Sequence, residues 1–203
     1  VLPPAPDISY IVSAYNRPVM LPVILWALKG QTHFRFECIV TDNASDEGIA
    51  KLHKQAVDDL KDSRFRYIRT YKKIPVEDCY WSAEYALKQA RGTWYCFPCD
   101  DTYLVPEFGA RMLERGVRDC LDLVYCEDVV VGTDASGSSG YRLWKQAPGR
   151  TLKTSFIVRA SSFPGFTKPG IPSPVAVDYF FSHLMNKDGK RLGGVREVMV
   201  VHL

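Results

Sequence analysis

Asp100 and Asp101 stand side by side at the end of an apolar run, Thr93 to Cys99, that reads as a β-strand. Two carboxylates buried there without a partner are strongly unfavourable, and a divalent cation relieves the penalty. Hard oxygen ligands suit Mg²⁺ or Mn²⁺, which take one or two protein carboxylates and fill their remaining positions with phosphate oxygens and water. The competing explanation is two acids in a solvated turn, capping the helix that starts at Pro106. A second acid, Asp42, ends the apolar run Phe36 to Thr41 and opens the loop Asp42-Asn43-Ala44-Ser45-Asp46. An Asx-type turn is its simplest role there. Arg17, Arg69, Lys72 and Lys73 can neutralise a diphosphate, Arg through a bidentate fork, although each alone also reads as a solvated charge.

The elements that must position these residues alternate. Ile8 to Ser13 is a short strand; Asn16 and Pro18 then offer an N-cap region and a first-turn proline for an apolar helix running to Lys29. After Phe36 to Thr41, the positions Ile49, Leu52, Ala56, Val57 and Leu60 give a helix over Glu47 to Leu60 one apolar face. Phe65 to Thr70 is a third strand, and Tyr80 to Arg91 a helix stopped by Gly92. Thr93 to Cys99 and a helix from Pro106 to Arg118 complete a β/α alternation. That order predicts an α/β fold with a doubly wound, largely parallel sheet, whose ligand crevice lies at the carboxyl ends of the strands. The polar loops named above all follow strands.

The second half changes character. Leu121 to Val131 is β-rich, Thr133 to Gly140 is rich in Gly and Ser, and Leu152 to Arg159 is another strand candidate. Ser173-Pro174 opens a helix through Asn186, and Val195 to Val201 is a last strand before His202. The expectation is a single domain over 1–203, with a nucleotide-binding half at 7–106 and an acceptor-side half at 107–203.

Composition bounds the alternatives. A chain of 203 residues, 46% apolar, supports one real core. The net charge of +3 is too small to imply nucleic acid as a partner. No stretch approaches the roughly 18 apolar residues of a membrane span, and Val1 to Pro6 lacks the pattern of a secretory signal. The expected location is cytoplasmic, as a free chain or as a domain of a larger or membrane-associated protein. Six scattered cysteines read as reduced, buried thiols rather than a disulfide scaffold. Cys96 and Cys99 have redox-motif spacing, but they lie within a strand and no second pair completes a zinc site.

Across residues 7 to 118 the chain resembles the inverting family 2 glycosyltransferases, of GT-A type. The resemblance is carried by Ile8-Ser9-Tyr10-Ile11-Val12-Ser13-Ala14-Tyr15-Asn16-Arg17, by Gln31-Thr32, and by Glu37-Cys38-Ile39-Val40-Thr41-Asp42-Asn43-Ala44-Ser45. Trp81 to Leu87, Ala90 to Tyr95 and Asp100-Asp101-Thr102-Tyr103-Leu104-Val105-Pro106 extend it in register. Thr102 stands where many members carry a third acid.

The resemblance implies a metal-assisted transferase that moves a sugar, of hexosyl type, from a nucleoside diphosphate to an acceptor hydroxyl with inversion. It puts Ala14, Tyr15 and Arg17 around the nucleotide, Asp42 against the nucleobase and Asp100 near the ribose or metal. Asp101 becomes the principal carboxylate for Mn²⁺ or Mg²⁺, His202 a further metal ligand, and Asp178, early in the Ser173-Pro174 helix, the general base. An ionised Asp42 only accepts hydrogen bonds, so it favours a base edge with an N–H, hence UDP, dTDP or GDP donors. Tyr80, Trp81, Trp94 and Tyr95 fit core packing better than sugar stacking. Two rivals stay open: a catalytically silent nucleotide-binding or assembly domain, and a sugar nucleotidyltransferase. The latter wants a glycine-rich loop after the first strand, where Ala14-Tyr15-Asn16-Arg17-Pro18 has no glycine.

Overall fold

The computed structural model describes residues 5–72, 79–133, 139–147, 155–165 and 185–203. Strand β1 (Ile8–Ala14) sends alternate side chains to two buried faces, as a period of two requires. Ile8, Tyr10, Val12 and Ala14 join Leu21, Ile24, Leu25 and Leu28 of helix α1 (Leu21–Lys29) in one cluster. Ile11 joins Ile39, Ala83, Ala86, Phe97 and Phe156 in another. Helices α2 (Glu47–Asp58) and α4 (Phe108–Arg118) contribute Val57, Phe108 and Met112 to the first cluster, and α3 (Cys79–Leu87) contributes its alanines to the second. Covered on both faces, β1 and β2 (Phe36–Asp42) are apolar through their middles, Tyr10 to Val12 and Cys38 to Val40, and carry their polar residues toward the ends. One start differs from expectation. Helix α1 begins after Met20 and takes Pro22, not Pro18, in its first turn, which releases Asn16 for another task.

The sheet runs β3-β2-β1-β4-β8-β6-β9-β5, with β7 hydrogen-bonded to β6. Its first four strands, β3 (Phe65–Arg69), β2, β1 and β4 (Trp94–Cys96), are parallel. The expectation of a largely parallel, doubly wound sheet fails beyond them. β8 (Phe156–Arg159) is antiparallel to both β4 and β6 (Leu123–Thr133), and β7 (Ser139–Trp144), which begins in the last two residues of the Gly/Ser-rich stretch Thr133 to Gly140, pairs antiparallel with β6. The cause is connection length: parallel neighbours need a helical crossover, and Leu121 to Arg159 carries no helical period. The architecture is therefore a single α/β domain built on a mixed, curled sheet. β9 (Leu192–His202) returns parallel to β6, and β5 (Thr102–Leu104) pairs antiparallel with β9.

Buried polar side chains lock the strand ends. The Gln31 amide donates to Val105 O at 2.8 Å and accepts from Gly109 N at 2.9 Å, while Thr32 N donates to Pro106 O at 2.8 Å. This pins the end of α1 to the β5–α4 junction and gives Gln31-Thr32 a structural task. On the opposite face of the sheet, Glu37 accepts from Ser9 Oγ (2.7 Å), Arg91 N (2.6 Å) and Arg66 (2.8 Å). Burial pushes the Glu37 carboxyl up, but those donors outweigh it and the net shift is downward. Gly92 N donates to the same Ser9 hydroxyl at 2.9 Å, and a Cβ on Gly92 would stand 2.5 Å from Ser9 N.

Candidate active site

The paired acids sit on the turn between β4 and β5. Thr102 N and Oγ1 both donate to Cys99 O, at 3.3 and 2.7 Å, closing the turn that presents Asp100 and Asp101. The buried hydroxyl at the position of a third acid thus serves the turn. A Ser13–Cys99 bridge continues the β1–β4 pairing up to the acids, so the loop after β1 lies beside them. From that loop one nitrogen of Arg17, Nη1, reaches Asp100 Oδ1 and Asp101 Oδ2, each at 3.0 Å. Asp100 is buried, Asp101 is 28% exposed and Arg17 is 49% exposed. The hydrogen bond to Asp101 comes first among the influences that raise the Arg17 pKa.

Asn16 stitches this loop to the next. In the left-handed conformation (φ +50°), its side chain accepts from Asp46 N at 2.9 Å and donates to Asp46 Oδ2 at 3.3 Å, while its backbone N–H meets Ser45 Oγ at 3.0 Å. Asn tolerates this backbone better than most residues. Arg69, at the end of β3, ties the same loop through Ser45 O (2.6 Å) and Glu47 (2.8 Å). Asp42 is enclosed beneath it. Its Oδ1 accepts from Ser45 N at 2.7 Å, and its Oδ2 accepts from the Tyr67 hydroxyl and the His53 ring, both at 2.8 Å. Burial would raise this carboxyl, but His53, Ser45 and Tyr67 overcome it and hold the pKa at about 2. Ala14, also buried, accepts through its carbonyl from Asn43 N at 2.9 Å, and Tyr15 is half-buried.

His202 ends β9 opposite Thr102, and the next residue, Leu203, donates its N–H to Asp101 O at 2.9 Å. The imidazole Nε2 lies 2.7 Å from Oδ2 of the fully buried Asp128, whose Oδ1 accepts from Gln146 Nε2 at 2.6 Å. Among the described residues, no three His, Cys, Asp or Glu side chains converge closely enough to hold a metal ion. The acid pair itself does converge on a positive charge, because two carboxylate oxygens share one Arg17 nitrogen. Two carboxylates suffice for a cation whose other positions are filled by phosphate and water.

The structure brings together Arg17, Asp100, Asp101 and the backbone beside His202, with the Asn16–Ser45–Asp46 clasp next to them. Asp178, Lys73 and residues 173–184 of the expected helix lie outside the described residues, while its last two, Met185 and Asn186, are helical. Trp94 is buried under the Arg159 guanidinium, and Tyr95 packs on Phe97 and Phe163, in keeping with core roles. The described cysteines are free thiols, and burial pushes Cys38, Cys96 and Cys126 upward, away from thiolate chemistry. Sequence reasoning missed His53, Tyr67, Asp128 and Gln146. A signal existed for the first, because His53 shares the buried face of α2 with Ala50 and Val57. Asp128 was visible as the second of two adjacent acids, Glu127-Asp128, inside an otherwise apolar strand.

A mixed sheet with helices on both faces, and a paired-acid turn at the carboxyl ends of its parallel strands, define a GT-A fold. Residues 9–168 match Glycosyl transferase family 2, and the chain belongs to that family. A stretch of 63 residues is 40% identical to the hyaluronan synthase of Pasteurella multocida, covering 30% of this chain and 6% of that protein. S. aureus TarS 1-349 superposes with a TM-score of 0.74 at 18% identity, over 97% of this chain and 60% of that one; it is also known in complex with UDP and with UDP-GlcNAc. The mannosyltransferase PcManGT of Pyrobaculum calidifontis, solved with GDP-Man and Mn²⁺, gives 0.71 at 16% identity, over 98% and 57%. At such identities the likeness is one of fold. The chain spans about 60% of the length of these structures. No helix among the described residues is long and apolar enough to cross a membrane.

Proposed function

We propose that this chain carries the catalytic domain of a metal-assisted, inverting glycosyltransferase that uses a UDP-, dTDP- or GDP-sugar. The observation that carries this reading is the convergence of Arg17 on Asp100 and Asp101 at the carboxyl edge. Asp101, with Asp100 beside it, would hold Mn²⁺ or Mg²⁺, the former being present in the PcManGT complex, and His202 would join them as a further ligand only by closing on the acids. When bound, the cation supplies Lewis-acid stabilisation of the departing diphosphate. Arg17 lies where it can move from the acids to a phosphate oxygen. Ala14 and Tyr15 line the nucleotide, and Asp42 faces the base. Asp42 is fully buried, so a base N–H reaches its carboxylate only where the loop over it opens, and base choice and loop order are coupled.

In the transfer, an acceptor hydroxyl oxygen forms a bond to the anomeric carbon as the bond to the diphosphate oxygen breaks. Asp178 accepts the hydroxyl proton, and the acceptor enters from the 107–203 half. The free thiols, three of them buried and Cys120 exposed, suit a reducing cytoplasmic setting.

Calorimetry with UDP, dTDP, GDP and ADP, with and without Mn²⁺, tests the reading. Metal-dependent binding of the first three and not of ADP is expected. Equal binding of all four regardless of metal would overturn it, and release of diphosphate from a sugar donor separates an enzyme from a silent binding domain.

A further inference from the structure

We propose that the cavity at the amino ends of β2 and β3 is a binding site for a small organic anion, one acidic group carried on a flat apolar ring, separate from the edge that presents Asp100 and Asp101. The cavity holds about 330 Å³ and is lined by Arg35, Arg64, Arg66 and Arg91, with Glu37 and Phe34 among its walls. That volume is at the small end for ligand pockets and suits one ring rather than a nucleotide-sugar. The acid turn lies at the carboxyl ends of the same parallel strands, and the seven residues of β1 alone put roughly 20 Å between the two edges.

The charges on the walls do not cancel. Arg64 is occupied by Asp62 through three contacts of 2.6, 3.0 and 3.2 Å, and Arg35 by Asp7 at 3.1 Å. Arg66 and Arg91 are left to share Glu37. Its Oε1 accepts from Ser9 Oγ at 2.7 Å and from the Arg91 backbone N–H at 2.6 Å, and its Oε2 accepts from Arg66 Nη2 at 2.8 Å. A carboxylate has about four lone-pair sites, so little remains for the Arg91 guanidinium. Its Nε and Nη2 accordingly reach Oε2 only at 3.4 Å, and the side chain is 52% exposed. Four guanidinium groups thus meet three carboxylates, and the excess positive charge rests on Arg91. An entering carboxylate or phosphate would take the donors that Glu37 leaves unsatisfied, in the bidentate geometry that a guanidinium favours.

The apolar walls define the rest of the ligand. Phe34 is 72% exposed, and Ala5 and Pro6 line the cavity with it. Arg64 lies flat over the Phe36 ring, 4.2 Å from its centroid, so its position is fixed by stacking as well as by Asp62. A ring that stacks on Phe34 can bring its acidic group to Arg91.

Phenyl phosphate, inorganic phosphate and phenol are the probes, titrated into the protein while amide signals are followed by NMR. Phenyl phosphate should shift the signals of Glu37, Arg91 and Gly92 and bind about 10-fold more tightly than either of the others. Arg91→Ala should weaken it about 10-fold, and Phe34→Ala should reduce it to the affinity of inorganic phosphate. Both side chains are exposed, so neither change threatens the fold. Arg17→Ala should leave these shifts unchanged. Failure of phenyl phosphate to bind, or binding that Arg91→Ala does not weaken, would overturn the proposal. Equal affinity for inorganic phosphate would overturn the apolar half of the site, and loss of the signal in Arg17→Ala would move the ligand to the acid turn. UDP titration of Arg91→Ala should match the unmodified protein, so the donor reading stands or falls separately.

Discussion

Arg17 Nη1 lies 3.0 Å from Asp101 Oδ2, a contact across 84 residues of chain, and the same nitrogen is equally close to Asp100. A cation thus already occupies the meeting point of the two acids. Because Arg17 is 49% exposed, solvent screens the pair and its contribution is modest.

Removing that internal cation should favour an external one. Arg17→Ala is expected to bind Mn²⁺ about two- to five-fold more tightly without nucleotide, the range that an exposed ion pair supports. Its affinity for UDP or GDP should fall, because a phosphate partner is lost. Asp101→Ala should instead abolish the metal dependence of nucleotide binding. Paired titrations of metal and nucleotide read out all three effects.

Asp42 makes stability depend on acid pH. Its folded pKa of about 2 lies below the ordinary Asp value of about 3.9, so the carboxylate stabilises the fold fully above about pH 4. That stabilisation is lost as pH falls from about 4 toward 2. Asp42→Asn should flatten this segment of the stability profile in urea melts. Tyr67→Phe, which deletes one donor to a buried charge, should cost about 1.5–3 kcal/mol at neutral pH.

Two glycines should respond to alanine with opposite signs. At Gly92 the new methyl meets Ser9 N at 2.5 Å and the Ser9 hydroxyl at 2.6 Å, so Gly92→Ala should lose roughly 1–3 kcal/mol by overpacking. Gly48, in the first turn of α2, has open space around its Cβ position. Gly48→Ala should gain about 0.5 kcal/mol from the unfolded state and helix propensity. Chemical denaturation of both variants distinguishes a close-packed junction from a permissive one.

For Asp178, the proposed general base, Asp178→Asn should lower turnover by roughly 10²- to 10⁴-fold with donor affinity retained. Near-normal transfer would reject the role. Lost nucleotide binding would instead make the residue structural.

Most of the parallel half was legible in the sequence because its signals are local. Apolar runs such as Phe36 to Thr41 mark strands, and the period of three to four in α2 marks its buried face. The paired acids after an apolar strand marked the turn that the structure places at the carboxyl edge of the parallel strands. Three features required the tertiary structure. The direction of β8 depends on which strand it meets, a non-local choice that short strands do not encode. The meeting of Arg17 with Asp101 is set by β1 lying beside β4, although 84 residues separate the two side chains. Asp42 and Asp128 look alike in sequence, each an acid at or within an apolar strand. Only packing supplies the donors, His53 and Tyr67 for one and Gln146 and His202 for the other, that determine how each buried charge is satisfied. A hydrogen bond needs its partner within about 3 Å, and which partner comes that close is decided by the folded sheet rather than by spacing along the chain.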